Sequence, residues 1–223
     1  MIKNISIFLL FTILIILTAS CGNLTSAASG SANHWWTLWL DRPACQSPCW
    51  QNITPGITST NDAIHILEKI PGVVITYKDE YSASWSFSEN KTDSGDMRGS
   101  ENGIVSTIWL GNSSSKSLYL ETIVASYGEP SYIKLYDCRA LEDSGETMCA
   151  TVLVYPDIGL LVDVFLEDTM VLNAHQVNIQ PDIVVSGVYF FQPGLENFKS
   201  WSEFQEHELL EWKGYSIYSS DIQ

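Results

Sequence analysis

Four histidines, His34, His65, His175 and His207, are the residues to weigh first for proton transfer or metal binding. No two of them have metal-ligand spacing, and nothing beside any of them completes a triad. His34 opens an aromatic strip. His65 falls between Ile64 and Ile66, off the apolar stripe of a helical pattern. His175 lies in the polar run Asn173-Ala174-His175-Gln176. His207 stands among Glu203, Glu206 and Glu208, where a solvated acidic face accounts for it. The chain carries no Gly-x-Ser-x-Gly elbow, no His-Glu-x-x-His and no phosphate-cradling glycine loop. Asp163, Glu167 and Asp168 sit in or after a strand pattern, and Asp163 and Glu167 share a face. A cation or an acid–base pair is one reading, but a calcium loop needs a denser oxygen pattern with glycine. The polar outer face of an antiparallel strand is the plainer explanation. No catalytic residue, metal ligand or cofactor is expected.

The cysteines carry a different chemistry. Cys45, Cys49, Cys138 and Cys149 make an even set, which in an exported chain reads as two disulfides. Of the three pairings, the local ones are favoured: Cys45–Cys49, and Cys138–Cys149 across the turn Asp143-Ser144-Gly145-Glu146. The competing reading is a four-thiolate metal site, and neither spacing is the C-x-x-C of zinc knuckles. The aromatic residues are the remaining candidates. Trp85, Trp109, Tyr119 and Tyr132 could stack a sugar or anchor a partner, with half-buried packing as the alternative for each.

Bulk properties bound the setting of these residues. The 223 residues are 45% hydrophobic and 17% charged, enough for one large domain or two small ones. A net charge of −15 with no Lys/Arg cluster disfavours nucleic acid and anionic lipid surfaces. Membrane contact should therefore come from an anchor. Met1-Ile2-Lys3-Asn4 is a short positive start, and Ile5 to Leu17 is an apolar run too short for a comfortable span. Leu17-Thr18-Ala19-Ser20-Cys21 follows. The pattern resembles a bacterial lipoprotein signal, residues 1–20, which implies lipidation of Cys21 and a place on the extracytoplasmic face of the cell membrane. Residues 21–33 are small and polar, as a flexible tether is.

The elements that must position the candidates come next. His34 to Leu40 is strongly aromatic and reads as an opening strand or an interfacial strip, with packing on the domain the plainer role. Pro55-Gly56 is a turn, Thr58 or Ser59 a helix cap, and Ala63, Ile66, Leu67 and Ile70 one apolar face. Pro71-Gly72 ends that helix. Val73 to Tyr77, Ser84 to Ser88 and Ile104 to Leu110 are strand patterns, with Asp93-Ser94-Gly95-Asp96 a polar turn between them. After a Ser-rich boundary at 111–116 the order restarts. A helix spans Leu118 to Tyr127, stopped by Gly128-Glu129-Pro130. Strands follow at 132–136, 150–155, 160–166 and 184–191, with Pro156 to Gly159 a hairpin turn. In the tail, Phe198, Trp201 and Phe204 have helical spacing.

The expected class is α+β: two tandem units, 34–112 and 113–223, each a short helix on an antiparallel sheet, plus a C-terminal helical segment. Ile53, Gly56, Ile57 and Thr58 in the first unit, and Gly128-Glu129-Pro130 in the second, carry a resemblance. They resemble the repeat of the β-lactamase inhibitory protein and of small outer-membrane-assembly lipoproteins. That resemblance implies non-catalytic protein binding through a sheet face. The expected function is thus a lipid-anchored binding module with a protein partner; the alternative is binding of carbohydrate or cell wall by exposed aromatics. Exposed aromatics beside carboxylates would favour sugar, and an apolar patch without a cleft would favour a protein. A deep pocket with converging His and Asp would favour an enzyme.

Overall fold

The computed structural model describes residues 36, 39–40, 45–87, 92–112, 118–135, 139–140, 147–166, 170–173, 176–202 and 209–219. The chain divides into two compact units, Met1–Ser31 and Ala32–Gln223, and all described residues belong to the second. Cys21, Cys138, the Asp143–Glu146 turn, Glu167, Asp168, Phe204 and all histidines except His65 lie outside the described residues. No helix among the described residues is long and apolar enough to cross a membrane.

The class is α+β, dominated by antiparallel sheet. Three eight-residue helices, α1 (Thr60–Leu67), α2 (Leu120–Tyr127) and α3 (Leu195–Ser202), accompany thirteen strands among the described residues. The first four strands form a meander: β1 (Val73–Lys78), β2 (Ser82–Phe87), β3 (Asp93–Gly99) and β4 (Val105–Asn112). β5 (Tyr132–Leu135), β7 (Thr147–Tyr155), β8 (Leu160–Leu166) and β11 (Val184–Phe191) form the other half. The strand order is β1-β2-β3-β4-β11-β8-β7-β5, so the two halves meet where β4 pairs antiparallel with β11. β12 (Leu210–Glu211) extends the far edge, and β6 (Arg139–Ala140) pairs with β7. β9 (Val171–Asn173), β10 (Gln176–Asn178) and β13 (Ile217–Ser219) make a separate small sheet.

α1 and α2 are joined to the sheet by the same backbone pattern at their starts, although only α1 has a side-chain cap. Ser59 caps α1: its Oγ accepts from the Asp62 N–H at 3.1 Å. Ser59 also bridges to Ile104, Thr60 N–H donates to Gly103 O and Val105 N–H donates to Thr58 O. At α2 the cap position is Tyr119, which bridges to Val184; Leu120 N–H donates to Ile183 O and Val185 N–H to Leu118 O. Each helix is therefore pinned at its start to β4 or β11, the strands that meet in mid-sheet.

One face of the sheet carries the main core. Ala63 and Leu67 of α1 and Leu120 and Ile123 of α2 pack against inward residues of every major strand, such as Met97, Ile108 and Val162. Trp36, Trp39 and Leu40 lie in helical backbone rather than a strand, and Trp39 is buried between Tyr127 and Phe190. Among the described residues, the other face is covered only over its second half. There α3 places Phe198 against Phe191, Leu161, Val154 and Val152. Phe198 had the spacing of a helical anchor, and burial of that side chain explains why α3 docks.

The Asp93-Ser94-Gly95-Asp96 run is not a turn but the centre of β3. Trp85 supplies the reason. A Cβ on Gly95 would strike Cε2 and Cζ2 of that indole, so glycine is needed for ring clearance and not for a bend. Trp85 in turn stacks on Trp50, centroids 5.5 Å apart and planes 12° apart. Trp50 is held by a two-residue turn in which Gln51 and Asn52 have φ of 51° and 66°, and it exchanges both backbone hydrogen bonds with Ile53. The Cys45–Cys49 disulfide closes the loop just before Trp50.

Candidate functional site

The half of the outer sheet face that no described helix covers holds a cleft of about 360 Å³ lined by Asp96, Arg98, Thr107, Trp109 and Tyr189. β3 supplies Asp96 and Arg98, β4 supplies Thr107 and Trp109, and β11 supplies Tyr189. Alternation along each strand puts these residues opposite the core, and register puts them side by side. Asp96 faces Trp109, Trp109 faces Tyr189, and Arg98 faces Thr107. The site thus straddles the seam between the two halves.

Trp109 rests on a glycine floor. Gly111 and Gly187 are directly opposed across β4 and β11. A Cβ on Gly111 would strike Cζ2 of the Trp109 indole, and one on Gly187 would lie 2.8 Å from its Nε1. The Nε1–Cζ2 side of the ring therefore lies against the backbone of both strands, and Trp109 lines the cleft. Tyr189 stands beside it, ring centroids 6.4 Å apart and planes tilted by 46°.

The polar groups are arranged around this pair. Ser84 Oγ donates to Asp96 Oδ2 at 2.8 Å, and Arg98 Nε donates to Asp96 Oδ1 at 3.4 Å. The Arg98 side chain is 77% exposed, so its pairing is a surface one and its guanidinium can turn to a ligand. Asp163 is the cross-strand neighbour of Gly187, beside the glycine floor. Burial pushes its carboxyl up to about 6, opposed by the Ser186 hydroxyl. The Tyr189 phenol is raised chiefly by its own burial and then by Asp163, with Arg98 opposing. Asp163 does not line the cleft, so one carboxylate, that of Asp96, faces it among the described residues.

Of the four aromatic candidates only Trp109 reaches this site. Trp85 is 1% exposed and belongs to the core, closed off by Trp50. Tyr119 is exposed at the start of α2, and Tyr132 is half-buried under α3. Asp96 and Arg98 were hidden by the turn-like composition around Gly95, although their two-residue spacing fits one strand face. Tyr189 could be paired with Trp109 only through a register linking β4 to β11, which local pattern does not encode. His65 lies on α1 and pairs with Glu68 at 3.3 Å, on the opposite side of the sheet from the cleft. No group of three His, Cys, Asp or Glu residues with metal-holding geometry occurs among the described residues. Compared with known proteins, the chain matches no protein-family model, no curated protein and no solved structure.

Proposed function

We propose that the chain is a lipid-anchored, extracytoplasmic, non-catalytic binding module, and that its ligand is a saccharide held at Trp109. The observation that carries the reading is the indole packed close on Gly111 and Gly187 and lining a cleft that also holds Asp96 and Arg98. An aromatic face suits the C–H side of a pyranose, and a ring of donors and acceptors suits its hydroxyls. At about 360 Å³ the cleft falls at the small end of ligand sites, roughly 300–1,000 Å³. A cationic ligand is disfavoured by Arg98 in the wall, and an anionic one by Asp96 and the net charge of −15.

The membrane part of the reading rests on the signal-like start and Cys21. Globomycin, which blocks lipoprotein signal processing, should cause a precursor to accumulate; unchanged processing would remove Cys21 as the anchor. We also read the two halves as tandem helix-plus-meander units. Their support is the matched pinning of Ser59 to Ile104 and of Tyr119 to Val184, and the mirrored strand order about the seam.

Retention on insoluble cell-wall polysaccharide, chitin or cellulose tests the ligand class. Wild type should be retained and Trp109→Ala released; equal behaviour of the two would reject the saccharide reading. The second reading, a protein partner, is favoured by one observation. β1 is a sheet edge whose Val74 and Tyr77 are 49% and 54% exposed. Co-purification of a stoichiometric protein from detergent-solubilised membranes, lost on Val74→Lys, would support that reading instead.

A further inference from the structure

We infer that the Trp109 cleft is one end of a track crossing five strands to Tyr77, and that the track takes an oligosaccharide of at least three units; this rests on the saccharide reading above.

The register defines the track. Tyr77 of β1 is opposite Ser84 of β2, Ser84 is opposite Asp96 of β3, Asp96 is opposite Trp109 of β4, and Trp109 is opposite Tyr189 of β11. By register, one residue from each strand thus stands in a single row, with Tyr77 at the sheet edge, where it also borders the groove lined by Glu68, Val73, Ile75 and Lys78. With neighbouring strands about 4.8 Å apart, Tyr77 lies about 14 Å from Trp109. A single sugar ring cannot touch both.

Tyr77 belongs to this row because of a bulge. Val74 is opposite Ser86 on the outer face and Ile75 is opposite Trp85 on the core face. Strict alternation would then turn Tyr77 inward. The register shifts between Ile75 and Tyr77, and the extra residue, Thr76, turns Tyr77 outward. The ring is also held at its tip: Tyr77 Oη donates to Asp79 Oδ2 at 2.6 Å. Asp79 is itself fixed by the Tyr81 and Ser82 N–H groups at 2.8 and 2.7 Å. These bonds, led by that from Tyr77, hold the Asp79 carboxyl down at about 2, so it stays an acceptor at any physiological pH. Between the aromatic ends lies the Ser84–Asp96 hydrogen-bonded pair, with Ser86 and Ser94 facing the same side in the next row. The sequence is aromatic, polar, aromatic, as a chain of linked pyranoses would need.

Calorimetric titration with cello- and chito-oligosaccharides of one to six units tests this. In at least one series, affinity should rise about tenfold between one and three units, the increment expected of a second stacking contact, and then level off. Tyr77→Ala should remove that rise and leave single-unit binding unchanged. Because Tyr77 is exposed, the fold should persist, which far-UV circular dichroism checks. Tyr77→Phe, which keeps the ring and loses its tether to Asp79, should retain part of the rise. A flat length dependence with binding still lost in Trp109→Ala would overturn the track and leave the saccharide reading in place. Absence of binding to either series, or binding indifferent to Trp109→Ala, would overturn both.

Discussion

Two tryptophans lie on glycine floors on opposite faces of the same sheet, and among the described residues only one is covered. Trp85 lies over Gly95 on the core face and is stacked by Trp50. Trp109 lies over Gly111 and Gly187 on the outer face, with Tyr189 beside it and a cleft in front. The local device is the same: glycine lets an indole approach the strand closely. What differs is the cover. A two-residue turn, followed by the cap of α1, brings Trp50 onto Trp85, whereas α3 stops short of Trp109 over the other half of the face. A flat aromatic support is thus structural where a second ring closes it and a candidate contact where none does.

The largest expected break in this comparison is truncation of each ring. Trp85→Ala should cost about 3–5 kcal/mol in denaturant unfolding, because a fully buried indole leaves a cavity. Trp109→Ala should cost only about 1–2 kcal/mol, since part of the ring already meets water, while abolishing polysaccharide retention. Equal stability losses would show that the two rings are both packing elements. Next come the floors. Gly95→Ala should cost about 3 kcal/mol, the upper end of core overpacking, because Trp85 has nowhere to go. Gly187→Ala should cost about 1–2 kcal/mol, as Trp109 can lift but the Leu110 carbonyl lies 3.0 Å from the added Cβ, and should weaken glycan binding severalfold.

A smaller effect separates the faces by pH. Asp163 has a folded-state pKa of about 6 against 3.8 for the free group, so folding favours its protonated form. That contribution is fully present below about pH 4 and is lost as pH rises through 6. Asp163→Asn should therefore gain stability over wild type between pH 4 and 7. The gain is at most about 3 kcal/mol from the shift, and about 1–2 kcal/mol once residual solvent contact is allowed for. A constant difference across that range would mean the carboxyl is not desolvated. Smallest is Ser59→Ala, distant from both rings, which should cost about 1 kcal/mol through the lost α1 cap and leave glycan binding untouched.

Much of the frame was legible in the chain. β8 and β11 fall at 160–166 and 184–191, where the sequence placed strands, and α1 begins at its polar cap. Alternation is local, so it survives without knowledge of partners. β3 was not legible, because Gly95 between Ser94 and Asp96 looks like a bend when the ring above it is unknown. The inward face of α1 was only partly legible: Ile64 is buried where Ile66 is half-buried. At the candidate site, Trp109 could be named from residue type. Its neighbours Asp96, Arg98 and Tyr189 could not, because two sequence-distant strands bring them together. The same limit put Trp85 and Trp109 on equal footing, since both sit in strand patterns and only the tertiary cover distinguishes them.

The seam between β4 and β11 has a further consequence for how the molecule would respond to occupancy. Asp96, Arg98, Thr107 and Trp109 belong to one side of it and Tyr189 to the other. Any occupant touching both sides acts as a cross-brace, stabilising the joint more than either half alone. Backbone amides of residues 107–111 and 187–191 should then slow most in deuterium uptake on saturation, while the small sheet of β9, β10 and β13 keeps its unliganded rate.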